Sequence, residues 1–299
     1  MHANDMPEFP GSRQIRLSDK PVFDELFERL QPKISEFTFA GLFIWSAAKN
    51  YRLCSYKGHL VIFHEENGVT FFLAPIGDSP AEIIMELIGK KSNSVFTAVP
   101  ENIALALDGS GLLVKESPGT FDYVYRRQDL AELRGRKYAP KRSFIKRAIG
   151  KYSPEITSGE GITAEDCMGL LERWFSERKD GNSKSLAEEK SAITTLIGNK
   201  DSLGLSCVAV KIGRRLVAFA VGEPLNKSTY LVHFEKAERD YVGLYQLINK
   251  EFAEKVPVQF GFINREEDLG IPGLVKAKQS YYPAFMVKKF NVSAVPMPA

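Results

Sequence analysis

The chain has 299 residues, 40 Lys and Arg against 37 Asp and Glu, a net charge of +3 and 44% hydrophobic residues, proportions of a soluble globular protein long enough for about two domains. A charge so near balance gives no ground by itself for a nucleic-acid binder. No stretch approaches the roughly 18 to 20 apolar residues of a membrane span, and the opening MHANDMPEFPGSRQ lacks the apolar core of a secretion signal, so a cytoplasmic protein without a membrane span is expected. The three cysteines, Cys54, Cys167 and Cys207, and the four histidines are scattered without metal-ligand spacing, which favours structural thiols and no metal site.

In chain order, a short strand over 15–17 precedes an amphipathic helix opened by Pro21 and patterned by Val22, Phe23, Leu26, Phe27 and Leu30, and a second helix spans 35–49. Three strands follow, over 51–56, 60–65 and 70–74, joined by Lys57-Gly58 and Asn67-Gly68 as a meander. Then come a helix over 81–88, a strand over 95–99, a helix over 101–107 and strands over 112–116 and 121–125. A linker is expected at 150–161, where Gly, Ser and Pro concentrate. Beyond it the order repeats: helices over 164–177 and 186–197, and strands over 207–211, 216–222 and 229–234. The rest is a helix through Leu244, Leu247, Ile248, Glu251 and Phe252, a strand over 258–263, a short helix over 274–280 and a last strand over 285–290. Two copies of one α/β unit with mixed sheets, 1–150 and 151–299, account for the length most simply.

The most informative stretch is 229–283. The alternation of Tyr230, Val232 and Phe234 feeds a helix through a turn crowded with Glu235, Lys236, Glu238, Arg239 and Asp240, beside the free N–H groups of a helix start. The strand over 258–263 ends in a second charged turn, Asn264, Arg265, Glu266, Glu267 and Asp268. Ligands of open α/β sheets bind at the carboxyl ends of diverging strands, which places the candidate site of the second unit here.

The segments HFEKA at 233–237, GLYQLINKEFA at 243–253, INREEDLG at 263–270 and LVKAKQSYYP at 274–283 resemble the signature of the phosphatidylglycerol lysyltransferase C-terminal-domain-like family. Matching segments occur earlier, FTFAGLFIW at 37–45, FFLAPIGD at 71–78 and DYVYRRQDLAELRGRKYAPKRSFIKR at 122–147, so the resemblance runs from about Ser35 to Phe290. Many members are soluble bacterial proteins of unknown function. The resemblance implies two tandem acetyltransferase-like (GNAT, acyl-CoA N-acyltransferase) domains, similar to those of Fem-type transferases that use aminoacyl-tRNA, with the fourth strand splayed from the fifth. It also implies an acyltransferase, with aminoacyl-tRNA as co-substrate and a small-molecule, peptide or lipid acceptor bearing an amine or hydroxyl.

The residues leave alternatives open. An acetyl-CoA enzyme of this fold cradles pyrophosphate on a (Q/R)xxGx(G/A) loop. Neither Arg239-Asp240-Tyr241-Val242-Gly243 nor Ile76-Gly77-Asp78-Ser79-Pro80 has that spacing, which disfavours a coenzyme A-dependent N-acyltransferase without removing it. A non-catalytic binding protein is the third reading. Glu235 or Asp268 can take a proton from the acceptor, and Arg265 or Lys236 can meet developing negative charge. Arg239, Asn264, Glu266 and one of Lys276 and Lys278 are candidates for substrate binding. Against these roles stand plain solvated turn charges, a cap made by Asp268, and an Arg265–Glu235 ion pair. Tyr281 and Tyr282 can stack on a ligand or pack beneath the last strand. Between Arg126 and Lys151 ten Lys or Arg face two acids. With Pro140 opening a helix, Lys141, Arg142 and Lys146 share or adjoin one face, suited either to tRNA phosphates or to water.

Overall fold

The computed structural model describes residues 6–159, 162–176 and 183–294. Among them the strands are β1 (Arg13–Gln14), β2 (Arg52–Tyr56), β3 (His59–Glu66), β4 (Val69–Leu73), β5 (Ser94–Pro100), β6 (Leu113–Glu116), β7 (Asp122–Arg126), β8 (Glu155–Ser158), β9 (Ser206–Ile212), β10 (Arg215–Pro224), β11 (Thr229–Ala237), β12 (Phe262–Asn264), β13 (Phe285–Val287) and β14 (Lys289–Ser293). They form two seven-stranded sheets, ordered β1-β2-β3-β4-β5-β14-β6 and β13-β7-β12-β11-β10-β9-β8.

Read from β1 and from β8, the two orders agree place by place. An antiparallel run, β1–β4 or β8–β11, is followed by one parallel step, β4 to β5 or β11 to β12. The next strand is antiparallel and comes from the other half of the sequence: β14 pairs with β5, and β7 pairs with β12. Each half therefore gives a strand to the other's sheet. The compact units are accordingly 6–122 with 267–274 and 286–294, and 123–266 with 275–285. These are not the continuous halves 1–150 and 151–299 expected from the linker signal. Burial explains the crossing, because Asp122, Tyr123, Val124 and Tyr125 of β7 are all buried and a strand covered on both faces needs an interior place in a sheet.

In the first unit Phe72 and Phe96, neighbours across the parallel pair, stack with centroids 4.8 Å apart and are fully buried. β14 begins with Lys289, also fully buried, whose Nζ lies 2.7 Å from Asp122 Oδ1, 2.7 Å from Glu36 Oε2 and 3.1 Å from Ser35 Oγ. A buried ammonium persists only when paired in this way. The strand expected over 285–290 is thus two strands in different sheets, parted at Lys288 as Lys289 enters its carboxylates.

In the second unit the helix Leu244–Lys255 covers the sheet with Leu244, Leu247, Ile248 and Phe252, all buried, each contributing roughly 1.5–3 kcal/mol by leaving water. The strand expected over 258–263 shortens to Phe262–Asn264, and Val258 is 83% exposed. Glu155–Ser158, inside the expected linker, is the edge strand β8, pairing with β9 from Glu155 opposite Lys211 to Ser158 opposite Val208. Residues 160–161 of that linker and residue 177 of the expected helix lie outside the described residues.

Candidate functional site

β11 is nine residues long, but β12 accompanies only Thr229, Tyr230 and Leu231. From Val232 to Ala237 its other edge faces no parallel neighbour, so the sheet opens at the carboxyl end of β11. A bulge falls there: Val221 lies opposite Phe234 and Gly222 opposite Val232, which leaves His233 as the extra residue. Gly222 is required, since a Cβ there would run into the Leu231 carbonyl oxygen.

At the open end Glu235 accepts two hydrogen bonds, from Asn249 Nδ2 at 3.0 Å and from Arg265 Nη2 at 3.1 Å. The Arg265 guanidinium sits 5.0 Å from the Tyr281 ring centroid and 5.5 Å from that of Tyr125, a cation held against aromatic faces. Burial opposes its charge, but Glu235 and the two tyrosines outweigh burial and its pKa is raised. Lys141 Nζ lies 4.1 Å from the Tyr281 centroid and donates to Ser280 Oγ at 2.6 Å; burial, and then Arg265, lower its pKa. The phenols are anchored, Tyr125 to the Lys278 carbonyl and Tyr138 to the Tyr281 carbonyl, each at 2.9 Å. Burial raises the pKa of Tyr125 and Tyr281 and pushes Tyr138 up to about 12, so all three remain phenols.

Two buried polar atoms of this cluster make no hydrogen bond: Arg265 Nη1, a donor, and Asn249 Oδ1, an acceptor. Their partner groups both rest on Glu235. Leaving a buried donor or acceptor unmade costs about 1–3 kcal/mol each.

The loop that carries Arg265 is pinned from three sides. Asn264 Oδ1 accepts the Glu266 N–H at 2.8 Å, Lys278 Nζ donates to the Arg265 and Glu266 carbonyls at 2.6 and 3.0 Å, and the Arg265 N–H donates to the Tyr123 carbonyl at 3.0 Å. His233, 6% exposed, meets Glu223 through Nε2 at 2.8 Å and Glu266 through Nδ1 at 3.3 Å. Burial acts against its charge, the hydrogen bonds to Glu223 and Glu266 prevail, and its pKa is raised to about 9. His233 is therefore an imidazolium at neutral pH.

The other expected residues fall elsewhere. Lys236 is buried, with Nζ 2.7 Å from Glu189 Oε1 and 3.7 Å from the Trp174 ring centroid. Arg239 is exposed on the turn, as is Lys276 on its helix, whereas Lys278 turns inward. Asp268 belongs to the first unit, where its carboxylate accepts the Gly270 N–H at 2.7 Å as a turn cap. Arg142 closes the end of the helix Arg127–Glu132 by donating to the Leu133 and Gly135 carbonyls. Lys146 is exposed, so the helix Ala139–Tyr152 turns Lys141 toward the tyrosines and Lys146 to solvent. Asn249, Tyr125, His233 and Glu223 were not singled out from the sequence. Asn249 left a trace, as a polar residue on the apolar stripe of its helix.

At the start of Leu244–Lys255, Gly243 has φ 99° and is packed so closely that a Cβ would strike the Phe144 carbonyl oxygen. That oxygen lies against the turn on which a pyrophosphate loop would be built. All three cysteines are free and buried, their thiols pushed up to about 12 chiefly by burial. Among the described residues no group of His, Cys, Asp and Glu is placed to hold a metal ion, and no helix is long and apolar enough to cross a membrane.

Two mixed sheets of this order, each with one parallel step, define a tandem acetyltransferase-like α/β fold. Residues 27–293 match the family described as phosphatidylglycerol lysyltransferase, C-terminal, and the chain belongs to that family. It is similar to a conserved protein of unknown function from Bacteroides thetaiotaomicron, 28% identical, with 94% of this chain and 98% of that one covered and a TM-score of 0.83. The L-PGS structure from Bacillus licheniformis is 12% identical, covered over 93% of both chains with a TM-score of 0.66, and FemX is 10% identical, with 94% and 96% covered and a TM-score of 0.57. The last two show likeness of fold. No curated protein matches the chain.

Proposed function

We propose that the open end of β11 is an acyl-transfer site whose donor is an aminoacyl ester, aminoacyl-tRNA, and whose acceptor bears an amine or hydroxyl. The observation that carries this reading is the pair of unmade hydrogen bonds, a donor on Arg265 and an acceptor on Asn249, bridged by Glu235. An aminoacyl group presents the complement, an ester carbonyl for Arg265 Nη1 and an α-ammonium for Asn249 Oδ1 and the Glu235 carboxylate. The lysyltransferase family and the acyltransferase-like fold support the same class of reaction.

In this reading the acceptor atom bonds to the acyl carbon, and the carbonyl oxygen becomes an oxyanion facing Arg265. The acyl carbon–ribose oxygen bond then breaks. The acceptor's proton passes to Glu235 and on to the leaving ribose oxygen. Arg265 and Asn249 hold the ester, and Tyr125 and Tyr281 exclude water, which strengthens the guanidinium's pull on the developing charge. Lys278 and His233 fix the loop. Asp268, used as a cap, takes no part. Lys146 and its exposed basic neighbours serve tRNA phosphates rather than the ester. The coenzyme A reading has less behind it, since the Phe144 carbonyl crowds the turn where a pyrophosphate would bind.

The test is transfer of a labelled amino acid from charged tRNA to a panel of amines, polyamines and glycerol lipids. Arg265→Lys is expected to lower transfer by about 10²–10³, the usual effect of losing one oxyanion donor. Label found only as free amino acid, at the same rate without the protein, would refute the proposal.

A further inference from the structure

The second unit also holds a cavity of about 290 Å³ that shares no lining residue with the cluster around Glu235. It lies at the other end of β11, and the chain makes it by ending several elements together. β8 stops at Ser158, and Gly159 stays against β9, its N–H on the Cys207 carbonyl at 2.8 Å and its Cα so near that a Cβ would stand 2.7 Å from the Cys207 Cβ. The helix Leu244–Lys255 stops over the start of β11, with the Val256 N–H on the Phe252 carbonyl at 3.1 Å. The short helix Lys200–Leu203 supplies another wall.

The lining has two characters. Its inner part is apolar and aromatic: Cys207, Val208, Tyr230, Phe252 and Val256 are all buried, and the one inner hydroxyl, Tyr230 Oη, is already engaged with Ser206 Oγ at 2.7 Å. Its rim carries two ammonium groups against one carboxylate. Lys200 pairs with Asp201 at 2.8 Å, and Lys255, in the last turn of its helix, is exposed. One positive charge is left at the mouth. An apolar interior with a few polar groups at one side is the usual form of a small-molecule site, and this volume is at the small end of the range.

We infer that this cavity binds a small organic anion, a single-ring or short-chain carboxylate, with its apolar part on Phe252 and Val256 and its carboxylate at the Lys200–Lys255 rim. Cationic ligands are opposed by the two lysines. The Cys207 thiol, held protonated by burial, makes the binding non-covalent. This site is independent of the acyl-transfer reading.

The test is ligand-observed NMR and calorimetry on the full chain with benzoate and hexanoate, against the uncharged benzamide and hexanamide. The acids are expected to bind in the millimolar range or tighter. Lys255→Gln is expected to weaken them about fivefold, the worth of one partly exposed charge contact, and to leave the amides and the thermal midpoint unchanged. Ser158→Trp, an exposed rim position, should block all four probes without loss of fold. Binding of neither acid at millimolar concentration, equal binding of acids and amides, or acid binding indifferent to both substitutions would each overturn the inference.

Discussion

Replacing Asn249 by Leu separates a structural role from a binding one, because the two side chains have the same number and branching of heavy atoms. Asn249 is 3% exposed, gives one hydrogen bond of 3.0 Å to the Glu235 carboxylate and leaves Oδ1 unpaired. Losing a hydrogen bond to a charged group costs about 1.5–3 kcal/mol. Removing the unpaired acceptor returns about 1–3 kcal/mol, and Leu is the better helix former by a few tenths of a kcal/mol. Glu235 retains Arg265 as a partner. The net change in stability is therefore expected to lie within about 1 kcal/mol of zero, a shift of roughly 2–4 °C in a unit of this size. Transfer, by contrast, should fall at least tenfold, mostly through KM for the aminoacyl donor. Urea denaturation followed by circular dichroism, run beside the transfer assay, reads both. A stability loss above about 3 kcal/mol with transfer per folded molecule unchanged would refute the reasoning and make Asn249 a strut.

Three further outcomes are expected. The raised His233 pKa means that its stabilisation is complete below about pH 6.5 and is lost as the pH rises through about 9; wild type should lose up to roughly 3 kcal/mol across that window, and urea titrations of His233→Gln should show a much flatter profile. Glu36, whose pKa burial raises despite Lys289, contributes stability that is present at low pH and is lost as the pH rises through that raised value, a decline that Glu36→Gln should remove. Lys289→Met strands Asp122 and Glu36 without their cation and should cost about 3–5 kcal/mol in denaturant unfolding, with part recovered in Lys289→Met/Asp122→Asn; equal instability of the two would mean that lost packing dominates.

Much of the architecture was legible because periodicity and turn residues are local. The meander over β2–β4 and the helix Leu244–Lys255 follow from alternation, Lys57-Gly58, Asn67-Gly68 and the apolar stripe. The exchange of β7 and β14 was not legible, since strand partners are chosen by burial on both faces and by the carboxylates awaiting Lys289, which are far away in sequence. Charge along a sequence says less about what each group touches. Glu235 and Arg265 do meet where β11 and β12 part, but Lys236 and Arg142 satisfy buried or terminal groups of the fold, and Lys141 points into tyrosines. A sequence reports where ionisable groups cluster, while their partners depend on the tertiary neighbours that desolvate them. Asn249 was not legible, because one amide on the face of a helix marks no chemistry until the fold brings Glu235 beside it.

An aminoacyl group bound beside Glu235 should fill the unpaired Arg265 donor and Asn249 acceptor. The decisive experiment is calorimetry and crystallography with adenosine carrying an amino acid through a 3′-amide, which mimics the charged end of tRNA and cannot transfer. The analogue is expected to bind with its carbonyl on Arg265 Nη1 and its ammonium on Asn249 Oδ1, and Asn249→Leu and Arg265→Lys are each expected to weaken it by about tenfold or more. Acetyl-CoA bound at this cluster in competition with the analogue, or an analogue affinity unmoved by both substitutions, would contradict it.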